Sequence, residues 1–170
     1  EEVFRQRADQ VYSLLAEYDR LYDIYEEYPG LVNLCTVNRH PGEPMAVDQR
    51  IMDLLLLAEE AYEFSGGQTD AMYGSVLRLW HEARENGMAY PDQAALPDAE
   101  LLTEAAQHTG FDRIAIDPAA GTVTILDPAA SLDVGALAKG YAVQKACEIL
   151  PEGYLISAGG NVAATGPKPD

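Results

Sequence analysis

Asp112-Arg-Ile-Ala-Ile-Asp-Pro-Ala-Ala-Gly-Thr-Val-Thr-Ile-Leu126 is where the apolar period of this chain changes. Upstream, apolar residues recur at three and four; here they move towards a period of two. Two partly β-branched runs, 112–116 and 122–126, flank Pro118-Ala-Ala-Gly121, whose composition is that of a turn. The stretch predicts a β-hairpin and excludes an all-helical fold.

On the N-terminal side the pattern is helical. Val11, Leu14, Leu15, Tyr18, Leu21, Tyr22 and Tyr25 predict an amphipathic helix over about 2–27, broken by Tyr28-Pro29-Gly30. Leu31 to Asn38 fits either an irregular segment or a strand, and Pro41-Gly42-Glu43-Pro44 punctuates again. Ile51, Leu54, Leu55, Ala58, Ala61 and Tyr62 mark a second helix that ends before Gly66-Gly67. A third is expected over 71–86 with Gly87 as its stop, and a fourth over 98–110 with Pro97 in its first turn.

On the C-terminal side, Leu132 to Val134 is short and buried in character. Ala138, Ala142, Ala146, Ile149 and Leu150 trace a helix face. Tyr154 to Ser157 reads as a strand, and Asn161 to Thr165 as another after Gly159-Gly160. The grouped order predicts an α+β fold, its helix-rich N-terminal two thirds packed on a mixed, mainly antiparallel sheet.

The chain has 170 residues, 48% of them hydrophobic, and a formal net charge of −17. Length and apolar content fit one globular domain with a real core. So acidic a balance argues against nucleic acid as partner, because phosphate-backbone binding draws on clustered Lys and Arg. An anionic ligand would be repelled at long range, so a bound cation would help any phosphate site. Cys35 and Cys147 form neither a disulfide framework nor a CxxC pair, and each reads as a buried thiol. No signal peptide or membrane-length apolar run is visible.

Three segments could carry chemistry. In Ser131-Leu-Asp-Val-Gly-Ala-Leu-Ala-Lys-Gly-Tyr-Ala-Val143 a short apolar run ends in Asp133 and a helix begins among small residues, with Lys139 one turn on. Amides at a helix start and the helix dipole favour an anion there. The plainer reading is a helix capped by Asp133 with a solvated Lys139. Ser157-Ala-Gly-Gly-Asn-Val162 offers paired glycines after a strand, for a close backbone approach or simply a hairpin turn. Gly66-Gly-Gln-Thr-Asp-Ala-Met-Tyr-Gly74, running into Leu79-Trp80, could cap a helix through Thr69 or Asp70 or line a pocket. Leu77 and Trp80 read as core. His40, His81 and His108 are scattered, and no HExxH, GxSxG, P-loop or GxGxxG pattern occurs.

In this order the three segments resemble the FAD:protein FMN transferase family, also called the ApbE family. Leu132 to Ala142 is similar to its DLGGIAKGYA signature, with Ala136 at the second glycine. Ser157 to Asn161 is similar to its GGD/GGN turn. Thr69 to Trp80 is similar to its FDPTxGPLxxLW segment, with Ala71 and Ser75 replacing both prolines. Tyr18-Asp19 to Asn38 is similar to its first helix and the SxLxxxN-like stretch beyond.

The resemblance implies an ApbE-like fold and a Mg²⁺-dependent transfer of FMN from FAD to a threonine of a target flavoprotein. Carried over by position, Asp133, Lys139, Gln68, Thr69, Asp70 and Tyr25 would contact FAD. The main-chain carbonyl of Ala136 would serve the metal. FAD pyrophosphatase activity, with water in place of threonine, and a non-catalytic flavin-binding fragment are the alternatives. The family also implies an extracytoplasmic, often lipid-anchored protein. It continues beyond a GxKPDG-like point, matched at Gly166 to Asp170, to an aspartate and a threonine that ligate the metal. Residues 1–170 are therefore expected to be part of a single domain truncated at both ends. Alone they are expected to hold an incomplete Mg²⁺ site, with no catalytic residue assigned within them.

Overall fold

The computed structural model describes residues 1–167, so the end of the GxKPDG-like segment lies outside the described residues. Helix α1 (Glu2–Tyr22) buries Tyr18, Leu21 and Tyr22 and is shorter than its apolar spacing predicts. The Asp23 carboxylate explains the stop: Oδ1 accepts from the amides of Tyr25 (2.7 Å) and Glu26 (3.1 Å), and Oδ2 from the Tyr28 hydroxyl (2.8 Å). These bonds offer the backbone an alternative to the next helical turn. Burial alone would raise the Asp23 pKa, but the three donors together hold it below the usual value.

The segment expected to be irregular or a strand contains a short helix, α2 (Leu34–Arg39). Asn33 and Thr36 form a reciprocal capping box that a reading by β-branching passes over. Asn33 is fully buried. Its Nδ2 donates to the carbonyls of Arg20 (3.1 Å) and Glu26 (2.7 Å), which ties the loop after α1 back onto that helix.

Strand β1 (Met45–Ala46), absent from the sequence reading, precedes α3 (Gln49–Phe64), which starts at Asp48 as its side-chain cap. Helix α4 (Gly74–Ala89) starts three residues later than expected and runs through Gly87. Gly87 has no positive φ, so it is a helical residue, and Pro91 follows the actual end. Helix α5 (Ala99–Ala105) is also shorter than expected, tightening into a 3₁₀ turn over Ala106–His108. Asp98, not Pro97, opens it by accepting from the amides of Glu100 and Leu101.

The hairpin forms as expected. β2 (Ile114–Asp117) and β3 (Thr122–Ile125) pair antiparallel with Ile116 opposite Val123. β1 adds to the other edge of β3, giving the order β1-β3-β2. After α6 (Gly135–Glu148), β4 (Leu155–Ala158) and β5 (Asn161–Ala164) form a separate antiparallel pair. The expected α+β class holds, with two small antiparallel sheets rather than one. Leu21, Leu34, Ile51, Leu54, Leu55, Val123, Ile125 and Leu132 meet in the main core. Each such side chain contributes about 1.5–3 kcal/mol by leaving water. A smaller cluster of Val143, Ala146 and Ile156 joins α6 to β4, and Leu14 and Leu15 of α1 touch both clusters.

One ion pair away from the core has a testable pH signature. His108 Nδ1 lies 2.7 Å from Asp127 Oδ2. That hydrogen bond raises the His108 pKa above 6.5 against the opposing effect of burial, and lowers that of Asp127 below 3.8. The folded state therefore holds the His108 proton more tightly than the unfolded chain does. Its stabilisation is full below 6.5 and lost as pH rises through the raised pKa. The Asp127 contribution is full above 3.8 and lost as pH falls through the lowered one. Thermal melts should show a Tm deficit for His108→Gln that is largest between these limits and shrinks well above 6.5. An equal deficit across the range would contradict this.

Candidate functional site

Two of the motif segments lie side by side. The Asp133 amide donates to the Ala71 carbonyl (2.8 Å), the Gly74 amide donates to the Ser131 carbonyl (3.0 Å), and Tyr73 and Ser131 form a parallel bridge. Gly74 is required by space: a Cβ there would stand 2.5 Å from the Ser131 carbonyl oxygen. Asn38 holds the same segment from the other side. Its Oδ1 accepts from the Leu132 amide (2.8 Å) and its Nδ2 donates to the Leu132 carbonyl (3.0 Å). Asp70 steadies the turn before α4, its carboxylate accepting from the amides of Met72 (2.8 Å) and Gly110 (2.9 Å).

At the start of α6 the Asp133 Oδ1 accepts from the Gly135 amide (2.8 Å). The capping reading of Asp133 is corrected: Val134 is the N-cap and no side chain caps α6, so Asp133 sits one residue before the cap and closes a turn onto the first helical amide. Its Oδ2 makes no hydrogen bond among the described residues. Lys139 curls back along the helix, its Nζ donating to the Gly135 carbonyl (3.1 Å). The third segment then closes on this turn. Gly159 and Gly160, at φ +57 and +88°, make the two-residue link between β4 and β5. A Cβ on Gly159 would lie 3.3 Å from the Lys139 side chain, and one on Gly140 would lie 3.5 Å from Asn161 Oδ1. The hairpin reading of these glycines holds, Gly159 also lies against the Lys139 side chain, and Gly160 faces open space.

Two adjoining clefts result. The larger, about 780 Å³, lies between α1, the loop at Tyr25, the face of α4 carrying Leu77, His81 and Arg84, the start of α6 and the Ala158-Gly159 turn. The smaller, about 480 Å³, is walled by residues 67–71, Tyr73, Leu77, Asp133, Val134, Ala136 and Leu137. Leu77, Asp133, Val134 and Ala136 line both.

All seven residues singled out in the sequence wall these spaces. Tyr25, Asp133, Ala136 and Lys139 line the larger cleft, and Gln68, Thr69 and Asp70 the smaller, where Asp133 and Ala136 recur. The Asp70 carboxylate is spent on main-chain amides, so Asp70 shapes its loop rather than offering a free charge. Although Tyr25 is mostly exposed, partial desolvation raises its pKa and the charge of Asp133 adds to it, which places ring and carboxylate in one field.

The core assignment of Leu77 and Trp80 does not hold. Leu77 is half-buried and lines both clefts, and Trp80 is 43% exposed. Helix α4 buries only its first turn, Gly74 to Val76, so residues further along face the cleft or solvent. His81 and Arg84 were missed for the same reason. Only their spacing from Leu77, four and then three residues, could have flagged them. Among the described residues no three His, Cys, Asp or Glu side chains gather into a metal-holding group.

A mixed α/β fold that gathers these glycine-rich segments around one pair of clefts is the architecture of a flavin-transferase family. The sequence profile of the ApbE family matches residues 3–170, and the chain belongs to that family. A FAD:protein FMN transferase of Treponema pallidum (strain Nichols) is 28% identical over 94% of this chain and 44% of its own length. One of Klebsiella pneumoniae (strain 342) is 25% identical over 94% of this chain and 49% of its own. The crystal structure of an ApbE protein of Thermotoga maritima superposes with a TM-score of 0.81 at 27% identity, covering 96% of this chain and 52% of that one. The flavin transferase ApbE of Vibrio cholerae, at 24% identity and a TM-score of 0.79, shares the fold. The chain spans about half the length of the relatives it matches.

Proposed function

We propose that this chain is part of a FAD:protein FMN transferase that moves FMN from FAD to a threonine hydroxyl of a target flavoprotein. The observation that carries this reading is the convergence of three segments, at 66–74, 131–143 and 157–161, on two clefts that share Asp133 and Ala136. In the reaction the threonine oxygen bonds to the phosphorus of the FMN half. The anhydride bond breaks, AMP leaves with its electron pair, and the hydroxyl proton is released.

Lys139 supplies a cation to the diphosphate, and the N-terminal amides of α6 add the positive end of the helix dipole. Gln68 and Thr69 bound the neighbouring cleft, where the rest of an extended dinucleotide can lie. Mg²⁺ would neutralise the diphosphate and the charge that develops on phosphorus. The residues fit part of its shell, through Asp133 Oδ2 and the Ala136 carbonyl. Mg²⁺ takes few protein carboxylates and keeps several waters.

The same reading makes residues 1–170 part of a single ApbE-like domain with further metal ligands outside them. It also makes the parent protein extracytoplasmic and membrane-anchored, on family resemblance alone. Among the described residues no helix is long and apolar enough to cross a membrane.

The test is incubation of the chain with FAD and Mg²⁺, with and without a threonine-containing acceptor peptide, beside a full-length family member. Saturable FAD binding and slow covalent labelling of the peptide are expected. FMN released equally with and without peptide would replace the reading by a FAD pyrophosphatase. FAD binding with no cleavage would reduce it to a flavin-binding part. Transfer as fast as that of the full-length protein would overturn the incomplete metal site.

A further inference from the structure

We propose that α4 contributes a second recognition wall to the larger cleft, in which His81 positions the Tyr25 ring and Arg84 receives an anionic group of the ligand. This rests on the FAD reading above and adds two residues to it. The Tyr25 hydroxyl and His81 Nδ1 share a hydrogen bond at 2.9 Å, joining elements 56 residues apart in sequence. The two rings lie 6.2 Å apart, tilted by 37°. Tyr25 is 62% exposed, so packing does not hold it. Its loop is fixed at the base by Asp23 and Asn33, but His81 alone among the described residues takes a hydrogen bond from, or gives one to, the tyrosine hydroxyl. An exposed ring so held is a ready stacking surface for a planar heteroaromatic group.

Arg84 lies one helical turn beyond His81 and lines the same cleft. It makes no ion pair among the described residues, and neither does Lys139, the other Lys or Arg lining that space. In a protein at −17 an uncommitted guanidinium beside a cleft is available for an anion. Phosphate suits it because the planar fork can donate two parallel hydrogen bonds. Arg84 and Lys139 thus approach the larger cleft from different walls, α4 and α6.

The test is a fluorescence titration of the chain with FAD and, separately, with riboflavin, which has the flavin ring but no phosphate. Arg84→Gln should weaken FAD roughly tenfold and leave riboflavin unchanged, as loss of a charge-assisted contact requires. His81→Phe and Tyr25→Phe should each weaken both ligands by about fivefold, the worth of one hydrogen bond. The double variant should be no weaker than either single one, and His81→Asn should restore part of the loss. Arg78→Gln, on the same helix but paired with Glu82, is the control and should change nothing.

Additive losses in the double variant, or equal effects of Arg84→Gln on both ligands, would overturn the proposal. Unaltered FAD binding by all the variants would overturn it alone. No FAD binding by the unmodified chain would overturn the FAD reading and this inference together.

Discussion

Gly74→Ala should destabilise the fold by about 1–3 kcal/mol, the usual cost of forcing an atom into filled space. The added Cβ would meet the Ser131 carbonyl oxygen at 2.5 Å, its carbon at 2.9 Å and the Leu132 carbonyl carbon at 3.0 Å. All three are main chain, so no rotamer change can relieve the clash. The extended segment Ser131 to Asp133 must move, although Asn38 holds Leu132 through two hydrogen bonds. Asp133 would move with it, so FAD affinity should fall even at temperatures where the variant stays folded. Gly87→Ala is the internal contrast. Its Cβ would meet Ala94 alone, Cβ at 3.2 Å and Cα at 3.7 Å, on an exposed segment that can yield. As a helix-interior exchange it should be neutral or stabilise by up to about 1 kcal/mol. Urea unfolding of both variants is the measurement, and a Gly74→Ala protein as stable as the parent would refute the close-approach argument.

Lys139→Ala and Asp133→Ala should both weaken FAD binding with Mg²⁺ present, but only the Asp133 effect should depend on the metal. Removing the ammonium costs a charge-assisted contact to the diphosphate whether or not metal is present, on the order of tenfold or more. Removing the carboxylate should cost a similar factor only when Mg²⁺ is added. In a chelator the loss should vanish, or reverse, because Asp133 then only repels an anionic ligand in an already acidic protein. Loss of the turn to the Gly135 amide is a further small cost, common to both conditions. Flavin fluorescence titrations with Mg²⁺ and with chelator separate these cases. A Mg²⁺-independent effect of Asp133→Ala would remove Asp133 from the metal site and leave it as the turn residue that leads into α6.

Much of the architecture was legible where local chemistry and tertiary context agree. The hairpin of β2 and β3 was readable because alternation, β-branching and a Pro/Gly turn all point one way. The grouping of Asp133, Lys139, Thr69 and the Gly159-Gly160 turn was legible through the family's motif order. The errors came where one side chain overrules a periodic pattern. Asp23 ends α1 against its apolar spacing, and Asn33 with Thr36 starts α2 in a stretch that reads as irregular or a strand. Gly87 looked like a stop because glycine often is one, yet the helix continues to Ala89.

By itself the sequence determined the α+β class, the tight turn at Gly159-Gly160, and membership of the ApbE family. Those depend on the order and spacing of residues along the chain, which motifs preserve. Only the tertiary structure decided that Asp70 spends its carboxylate on Gly110, that Leu77 faces the clefts instead of the core, and that His81 meets Tyr25. The reason is geometric. A helix presents each residue to one direction only, and what lies in that direction is set by elements tens of residues away.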